Sequence, residues 1–272
     1  MKRDRYFPYL FLAPSLLLFV LLIAYPIIQN VINSLFRFSA ISSTRHFVGL
    51  ANYRVLVGDP VYWRSVGNTL RFALASVVFQ VGLGTVLAAL LHRGITRLRN
   101  FYRFALFAPM VMSVVAVGLL WILIYDPIMG LTSLIVQAFG GQAQGWLSNP
   151  KTAIWAIIAA ANWQYTGFSM VIILAGMESI PKELFEAAVI DGAGEVASFF
   201  RITLPMVRHV ISVAVLITVI GSFKVFDYVW VMTRGGPANA SEVMTTYMYL
   251  LAFTTDRMGL GSAVASSIFV FT

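Results

Sequence analysis

A short polar patch, Asn162-Trp163-Gln164-Tyr165, interrupts an otherwise apolar segment, and its side chains are of types that bind sugars. Planar amides hydrogen-bond hydroxyl groups while aromatic faces pack against sugar rings, so the combination suits a carbohydrate path. The amides of Asn162 and Gln164 would equally serve as hydrogen-bonding groups between packed helices. The sequence leaves both interpretations open.

A pair of opposite charges, Lys224 and Asp227, lies in a second apolar segment. If the segment is one continuous helix, the two side chains are about one turn apart, share a face and neutralise each other. Charges near the centre of a bilayer are costly and are therefore functional candidates. A structural ion pair, a gate and a direct contact with substrate all fit this pattern.

Catalytic chemistry is not indicated. The chain has no G-x-x-x-x-G-K-[ST] sequence, so no phosphate loop for ATP is expected. His46, His92 and His209 are isolated from one another, no H-E-x-x-H motif occurs, and there is no cysteine for thiol or disulfide chemistry. We therefore predict a protein that is not an enzyme and carries no cofactor or metal of its own.

The composition predicts an all-α integral membrane protein. The chain is 59% hydrophobic and 11% charged, whereas soluble domains carry roughly 25% charged residues. Its formal charge of +8 would suggest nucleic acid in a soluble protein. Here the basic residues lie mostly between apolar runs, so the expected partner is anionic membrane lipid and not nucleic acid.

Six apolar segments predict six transmembrane helices. The first follows a basic N-terminus and is too long for a cleaved signal, so we expect an anchor. The last has 14 residues, fewer than the ~20 needed to cross a bilayer, and we expect the chain to continue past Thr272 with this helix incomplete there. The six segments are Tyr9–Ile28, Thr69–Leu91, Phe104–Tyr125, Thr152–Gly176, Val210–Met232 and Gly259–Thr272.

The distribution of Lys and Arg predicts that the N-terminus is cytoplasmic. With that orientation the cytoplasmic segments are shorter but hold more basic residues than the outer ones, and the cluster HRGITRLRNFYR is the best single indicator. The ten cytoplasmic basic residues would be Lys2, Arg3, Arg5, Arg93, Arg97, Arg99, Arg103, Lys182, Arg201 and Arg208.

A polar, glycine-broken stretch separates the fourth and fifth segments on the predicted cytoplasmic side. It reads Glu186-Ala-Ala, three residues, Gly192, nine residues, then Ile202-x-Leu204-Pro205. Pro181 and the good helix formers after it predict a helix over 182–190, which the turn 191–194 ends. A second short helix over 195–203 would direct Phe199, Phe200 and Ile202 at the bilayer, and Pro205 would start the next span.

This loop resembles the signature loop of the permease subunits of binding-protein-dependent ABC importers, and further motifs resemble the carbohydrate-uptake branch of that family. In one departure, Thr132 and Ser133 stand where the family usually has Asn. The motifs that carry the resemblance are FVGLANY, SVGNTLRF, Trp121…Tyr125-Asp126-Pro127…Gly130, LAGMESIPKELFEAA, FKVFDYVWVMTRGGP and Gly259…Gly261-Ser262-Ala263.

The resemblance implies a type I importer permease fold, with residues 1–65 forming the first helix and outer loop and residues 66–272 the permease core. It implies that the 177–208 loop is cytoplasmic and couples the chain to an ATPase, with Glu186 pairing with a basic residue there. The residues that would make this contact are Glu186, Ala187, Ala188, Asp191, Gly192 and Ala193.

The resemblance also implies partners: a second homologous permease, two ATP-binding subunits that carry ATP and Mg, and an extracytoplasmic solute-binding protein. The chain would lie in a prokaryotic inner membrane and pass a carbohydrate across it. Two alternatives remain: an importer of glycerol phosphate or another small organic solute, and a secondary transporter that works alone.

Overall fold

The computed structural model describes residues 7–41, 44–92 and 98–272, and this part of the chain is mostly helical. One antiparallel ladder pairs β1 (Phe36–Arg37) with β2 (His46–Phe47). Wider π-helical turns occupy Val20–Ala24, Val77–Leu83, Phe199–Thr203 and Leu250–Thr254. The α-helices are α1 (Phe7–Phe19), α2 (Tyr25–Asn33), α3 (Ala51–Val57), α4 (Pro60–Ser76), α5 (Gly84–His92), α6 (Arg99–Val111), α7 (Val114–Ile124), α8 (Leu131–Ala138), α9 (Ala153–Glu178), α10 (Lys182–Ile190), α11 (Glu195–Ser198), α12 (Leu204–Met206), α13 (Arg208–Phe223), α14 (Asp227–Met232), α15 (Met244–Tyr249) and α16 (Met258–Phe271).

The predicted apolar segments are helical, which confirms a helical membrane protein, but two of them are broken. Among the described residues, three continuous helical stretches are long and apolar enough to cross a membrane: Phe11–Asn33, Pro60–His92 and Ala153–Glu178. The third predicted segment is wrong as one helix, because α6 and α7 meet at 100°. The fifth is wrong as one helix too, because α13 ends at Phe223 and α14 starts at Asp227. The number of membrane crossings stays a prediction.

The break in the third segment is a local change of backbone conformation. Pro109 lies inside α6, but its missing amide hydrogen affects the turn before it and not the break after it. Met112 then adopts extended backbone (φ −72°, ψ 148°), and Ser113 is extended as well (ψ 134°). The helix therefore stops and restarts in a new direction within an uninterrupted apolar sequence.

Helix α9 lies at the centre of the packing in this part of the chain, and sixteen of its 26 residues are buried. Glycines let neighbouring helices approach its backbone closely. A Cβ at Gly84 of α5 would lie 3.0 Å from the Met170 amide nitrogen, and a Cβ at Gly167 would collide with the Leu106 carbonyl of α6. Helices α5 and α6 are thus packed against α9 at backbone distance.

The chain divides into two compact units. The central unit holds Arg64–Thr246, and the terminal unit holds the described residues up to Trp63 together with Tyr247–Phe271. In the terminal unit, α16 packs on α2, where the Asn30 amide donates to the Ser266 hydroxyl at 3.1 Å. The last helix therefore packs with the N-terminal segment, and the division of the chain at residue 65 stays a prediction.

Candidate functional site

The first short helix of the 177–208 loop forms where the sequence predicts it. Helix α10 starts after Pro181 and ends at Ile190, with Asp191 as its C-cap. Gly192 then takes a left-handed backbone (φ +74°). Its amide bonds the Val189 carbonyl at 3.0 Å, and the Ala193 amide bonds the Ala188 carbonyl at 2.8 Å. This pair of bonds is a Schellman turn, which satisfies the last carbonyls of the helix and fixes the direction of the chain.

Helix α10 presents a mixed surface. Of the predicted coupling residues, Glu186, Ala187, Asp191 and Gly192 are exposed, while Ala193 is half-buried and Ala188 is buried. Sequence reasoning missed two neighbours, Val189 and Ile190, whose exposures are 71% and 85%. A carboxylate beside exposed apolar side chains has the composition of a protein-binding surface. The sequence contained a signal for this surface, namely two apolar residues within the polar stretch, between Ala188 and the glycine turn.

The second short helix forms as predicted, but its surroundings differ from the expectation. Phe200 is 60% exposed, whereas Phe199 packs against the core and Ile202 is half-buried. The three side chains therefore do not share one bilayer-facing surface. Pro205 does not start the next long helix either, because a 66° bend precedes α13 at Arg208.

The polar patch of α9 separates into residues with different roles. Asn162 is buried and accepts a hydrogen bond from the Gln80 amide at 2.8 Å. Gln164 is fully buried and donates to the Met112 carbonyl at 2.8 Å, while the Tyr228 hydroxyl donates to its side-chain oxygen. Both amides therefore serve hydrogen bonds between helices, one of the two roles that the sequence allows.

The Gln164 amide meets a specific need. The Met112 carbonyl points out of the break between α6 and α7, where the α-helical backbone is interrupted. A buried carbonyl without a donor costs free energy, so native structures pair such groups. The side-chain nitrogen of Gln164 donates to this carbonyl, and its side-chain oxygen accepts a hydrogen bond from the Tyr228 hydroxyl of α14.

A cavity of about 390 Å³ lies beside this network in the central unit. Three predicted substrate-path residues line it: Tyr165, Lys224 and Asp227. The sequence did not single out the polar lining residues Gln80, Thr218, Ser222 and Tyr228.

Lys224 and Asp227 do not form the pair that the sequence predicts. Lys224 lies just after α13 and Asp227 starts α14, so they do not share one helical face. Within residues 7–41, 44–92 and 98–272, the ion pairs closer than 4 Å that the structure contains are those of Glu178 with Arg99 and Arg103. Roles as a gate or a substrate contact stay predictions for both residues.

Trp163 takes a different position from the rest of the patch. Its side chain is 43% exposed and contacts the Trp121 ring edge-on, with centroids 5.9 Å apart. The cavity is lined instead by its neighbour Tyr165. Trp163 therefore belongs to an aromatic contact between α9 and α7, and a place in the substrate path stays a prediction.

The departure at Thr132 and Ser133 is compatible with an ordered loop. The Thr132 hydroxyl donates to the Ile124 carbonyl at 2.8 Å, and the Ser133 hydroxyl donates to the Asp126 carbonyl at 2.9 Å. The Asp126 carboxylate accepts the amides of Met129 and Ile128, and these bonds hold its pKa below the ordinary value. The two hydroxyls thus satisfy carbonyls at the end of α7.

Several predicted cytoplasmic basic residues lie outside the described part of the chain: Lys2, Arg3, Arg5, Arg93 and Arg97. Within the described part, no group of three or more His, Cys, Asp or Glu is placed to hold a metal ion.

Comparison with known proteins agrees with this architecture. Residues 80–272 match the family described as binding-protein-dependent transport system inner membrane component. The chain is similar to the probable ABC transporter permease protein YurN of Bacillus subtilis (39% identity over 100% of this chain and 94% of that protein). It is also similar to the arabinooligosaccharides transport system permease protein AraP of Bacillus subtilis (32% identity over 94% of this chain and 82% of that protein).

A solved structure shares the fold. It is a bacterial alginate ABC transporter in complex with an alginate pentasaccharide-bound periplasmic protein, and one of its chains aligns with a TM-score of 0.85 at 23% identity, over 99% of this chain and 91% of that chain. The overall fold of the chain is therefore that of a chain of this ABC transporter.

Proposed function

The chain belongs to the family of inner membrane components of binding-protein-dependent transport systems, and we propose that it is the permease subunit of an ATP-driven importer of a carbohydrate. As a multi-pass membrane subunit it is not an enzyme. Solute would cross by alternating access, with the cavity beside Tyr165 and Lys224 as part of the path. The name of the relative AraP supports an oligosaccharide as the substrate class.

The observation that carries the proposal is the exposed surface of α10. The chain has no phosphate loop, so free energy from ATP must enter through contact with another protein. Helix α10 presents the Glu186 carboxylate beside the exposed side chains of Val189 and Ile190. The Gly192 turn ends this helix. A short helix fixed at both ends transmits a displacement that a flexible loop would absorb.

The proposed orientation and partners follow from the same surface. The basic residues favour a cytoplasmic N-terminus, which puts the 177–208 loop on the side where ATP is available. Two ATP-binding subunits holding ATP and Mg, a second homologous permease and an extracytoplasmic solute-binding protein would complete the assembly in a prokaryotic inner membrane. ATP-driven closure of the ATPase pair would push α10 and open the permease pair outward.

The test is charge reversal at Glu186. We expect Glu186→Lys to abolish oligosaccharide uptake and binding-protein-stimulated ATP hydrolysis in proteoliposomes, and to reduce co-purification of the ATPase, because the lysine repels the basic residue that Glu186 would pair with. The protein should still insert, since Glu186 is exposed. The measurements are labelled solute uptake, phosphate release and pull-down of the tagged permease.

The matched control is Glu183→Lys, which reverses an exposed charge earlier on the same helix and should keep more uptake than Glu186→Lys. Normal transport by Glu186→Lys would contradict the docking role. Uptake by the purified chain without any ATPase would identify a secondary transporter instead.

A further inference from the structure

Helix α6 is attached to α9 at three levels. Next to the 177–208 loop, the guanidinium groups of Arg99 and Arg103 contact the Glu178 carboxylate, the latter at 3.3 Å. Halfway along, Gly167 admits the Leu106 carbonyl of α6.

The third attachment lies at the far end, where Gln164 holds the Met112 carbonyl at 2.8 Å. The fourteen residues from Arg99 to Met112 span roughly 20 Å at 1.5 Å per residue. Because these three attachments are spread along α6, α6 and α9 would move as one body, which we call the strut.

The ionic attachment has a specific geometry. Arg99 and Arg103 are four residues apart on α6, so their side chains lie on one face a turn apart. Both reach the same oxygen of Glu178, the last residue of α9. Helix α10 starts four residues later, at Lys182. The carboxylate therefore joins α6 to the end of α9, four residues before α10 starts.

This cluster is poorly suited to stabilise the fold. The three side chains keep between 34% and 37% of their surface exposed, and ion pairs at that exposure are weakened by water and salt. The close helix contact at Gly167 and the Gln164 hydrogen bond hold the middle and the far end of α6 on α9 without them, and leave the loop end of α6 to the cluster. What the cluster adds is a direct connection from α6 to the residue from which the 177–208 loop leaves α9.

The strut ends at the cavity. Met110 and Val114, which flank the break at Met112, both line it. A displacement of the loop that moves α6 as one body would therefore reshape the cavity wall. If the ionic attachment were lost, the loop end of α6 could lag behind α9 while the far end stayed attached.

We propose that Glu178, held by Arg99 and Arg103, is a positioning residue that makes α6 follow the 177–208 loop, so that a push on α10 reaches the cavity. This inference rests on the proposed function, in which α10 receives the push. Loss of the cluster separates ATP hydrolysis from solute movement without removing the ATPase from the complex.

The experiment is a double-mutant cycle in the reconstituted complex with its binding protein. Glu178→Gln should lower the solute transported per ATP hydrolysed by about 2- to 30-fold, the range for residues that carry coupling between sites. The ATPase should co-purify in normal amount. Adding Arg99→Gln and Arg103→Gln to Glu178→Gln should cause little further loss, because the partner is already gone. Salt should lower the wild-type ratio more than that of Glu178→Gln.

A matched control is Arg54→Gln, which removes an exposed arginine of α3 and should leave the ratio unchanged. If Glu178→Gln fails to assemble, Arg103→Lys should keep coupling that Arg103→Gln loses. An unchanged ratio in Glu178→Gln, or losses that add across the cycle, would overturn the inference. The proposed function would then still stand on Glu186→Lys, whose defect is loss of ATPase binding and stimulation.

Discussion

Polar residues differ in burial between helix α9 and the loop that follows it. Asn162 and Gln164 are buried, and each has a hydrogen-bond partner on another helix. Glu186 and Asp191 are exposed on α10 and its turn. In apolar surroundings a polar side chain forms hydrogen bonds within the protein, because burying it without a partner costs free energy. Where it is exposed, it is available to another protein.

The largest effect is expected where α6 and α9 touch. Gly167→Ala should destabilise the protein by about 3 kcal/mol, the upper part of the range for overpacking, because its Cβ collides with a backbone carbonyl that no change of rotamer can move. The yield of monodisperse protein in detergent and its midpoint of thermal unfolding are the measurements.

The control is Gly221→Ala in α13, where a Cβ has open space and stability should be retained. Normal stability of Gly167→Ala would show that α6 and α9 are not packed at backbone distance, which would undermine the rigidity of the strut.

A smaller loss is expected from Gln164→Leu. It leaves the Met112 carbonyl and the Tyr228 hydroxyl without their partner, at about 1 kcal/mol for each group, the lower end of the range for an unpaired buried group. We expect a lower unfolding midpoint of the purified complex and little change in the apparent affinity for solute.

Trp163→Leu, which changes an exposed neighbour on the same helix, is the matched control and should lower the midpoint less. A shift of solute affinity at unchanged stability would break the comparison, because it would assign Gln164 to the substrate path.

The smallest effect is expected in the exposed loop. Gly192→Ala puts a side chain into left-handed backbone, at a cost of about 1 kcal/mol. Hydrogen exchange over α10 should rise and uptake should fall modestly. Gly194→Ala is the control, since its φ of −68° suits any residue and a Cβ there meets open space. Equal exchange in the two variants would mean that the turn does not hold the helix.

The sequence predicts the 177–208 loop better than the membrane-embedded part. Helix α10 and its turn depend on local signals, namely Pro181, a run of good helix formers and Gly192. Those signals act within a few residues and are visible in one sequence. The proposed docking contacts involve another protein, so the chain alone leaves them as predictions.

The breaks inside the apolar segments could not be predicted from hydropathy. The sequence around Met112 stays apolar while its backbone turns by 100°, because hydropathy reports side-chain solubility and not backbone direction. Lys224 and Asp227 looked paired only on the assumption of a continuous helix. Gln80 was missed for another reason: its partner Asn162 lies 82 residues later, and a pairing over that distance depends on helix packing.

The interruption between α13 and α14 has a practical consequence for engineering. The α9 side of the cavity is tied into close contacts and buried hydrogen bonds, so most replacements there cost stability before they change selectivity. Lys224, Val225 and Phe226 line the same space outside any helix, and Lys224 is exposed. Libraries aimed at new solutes should therefore start at Lys224, because Val225 packs against the core and Phe226 stacks on the Trp230 ring.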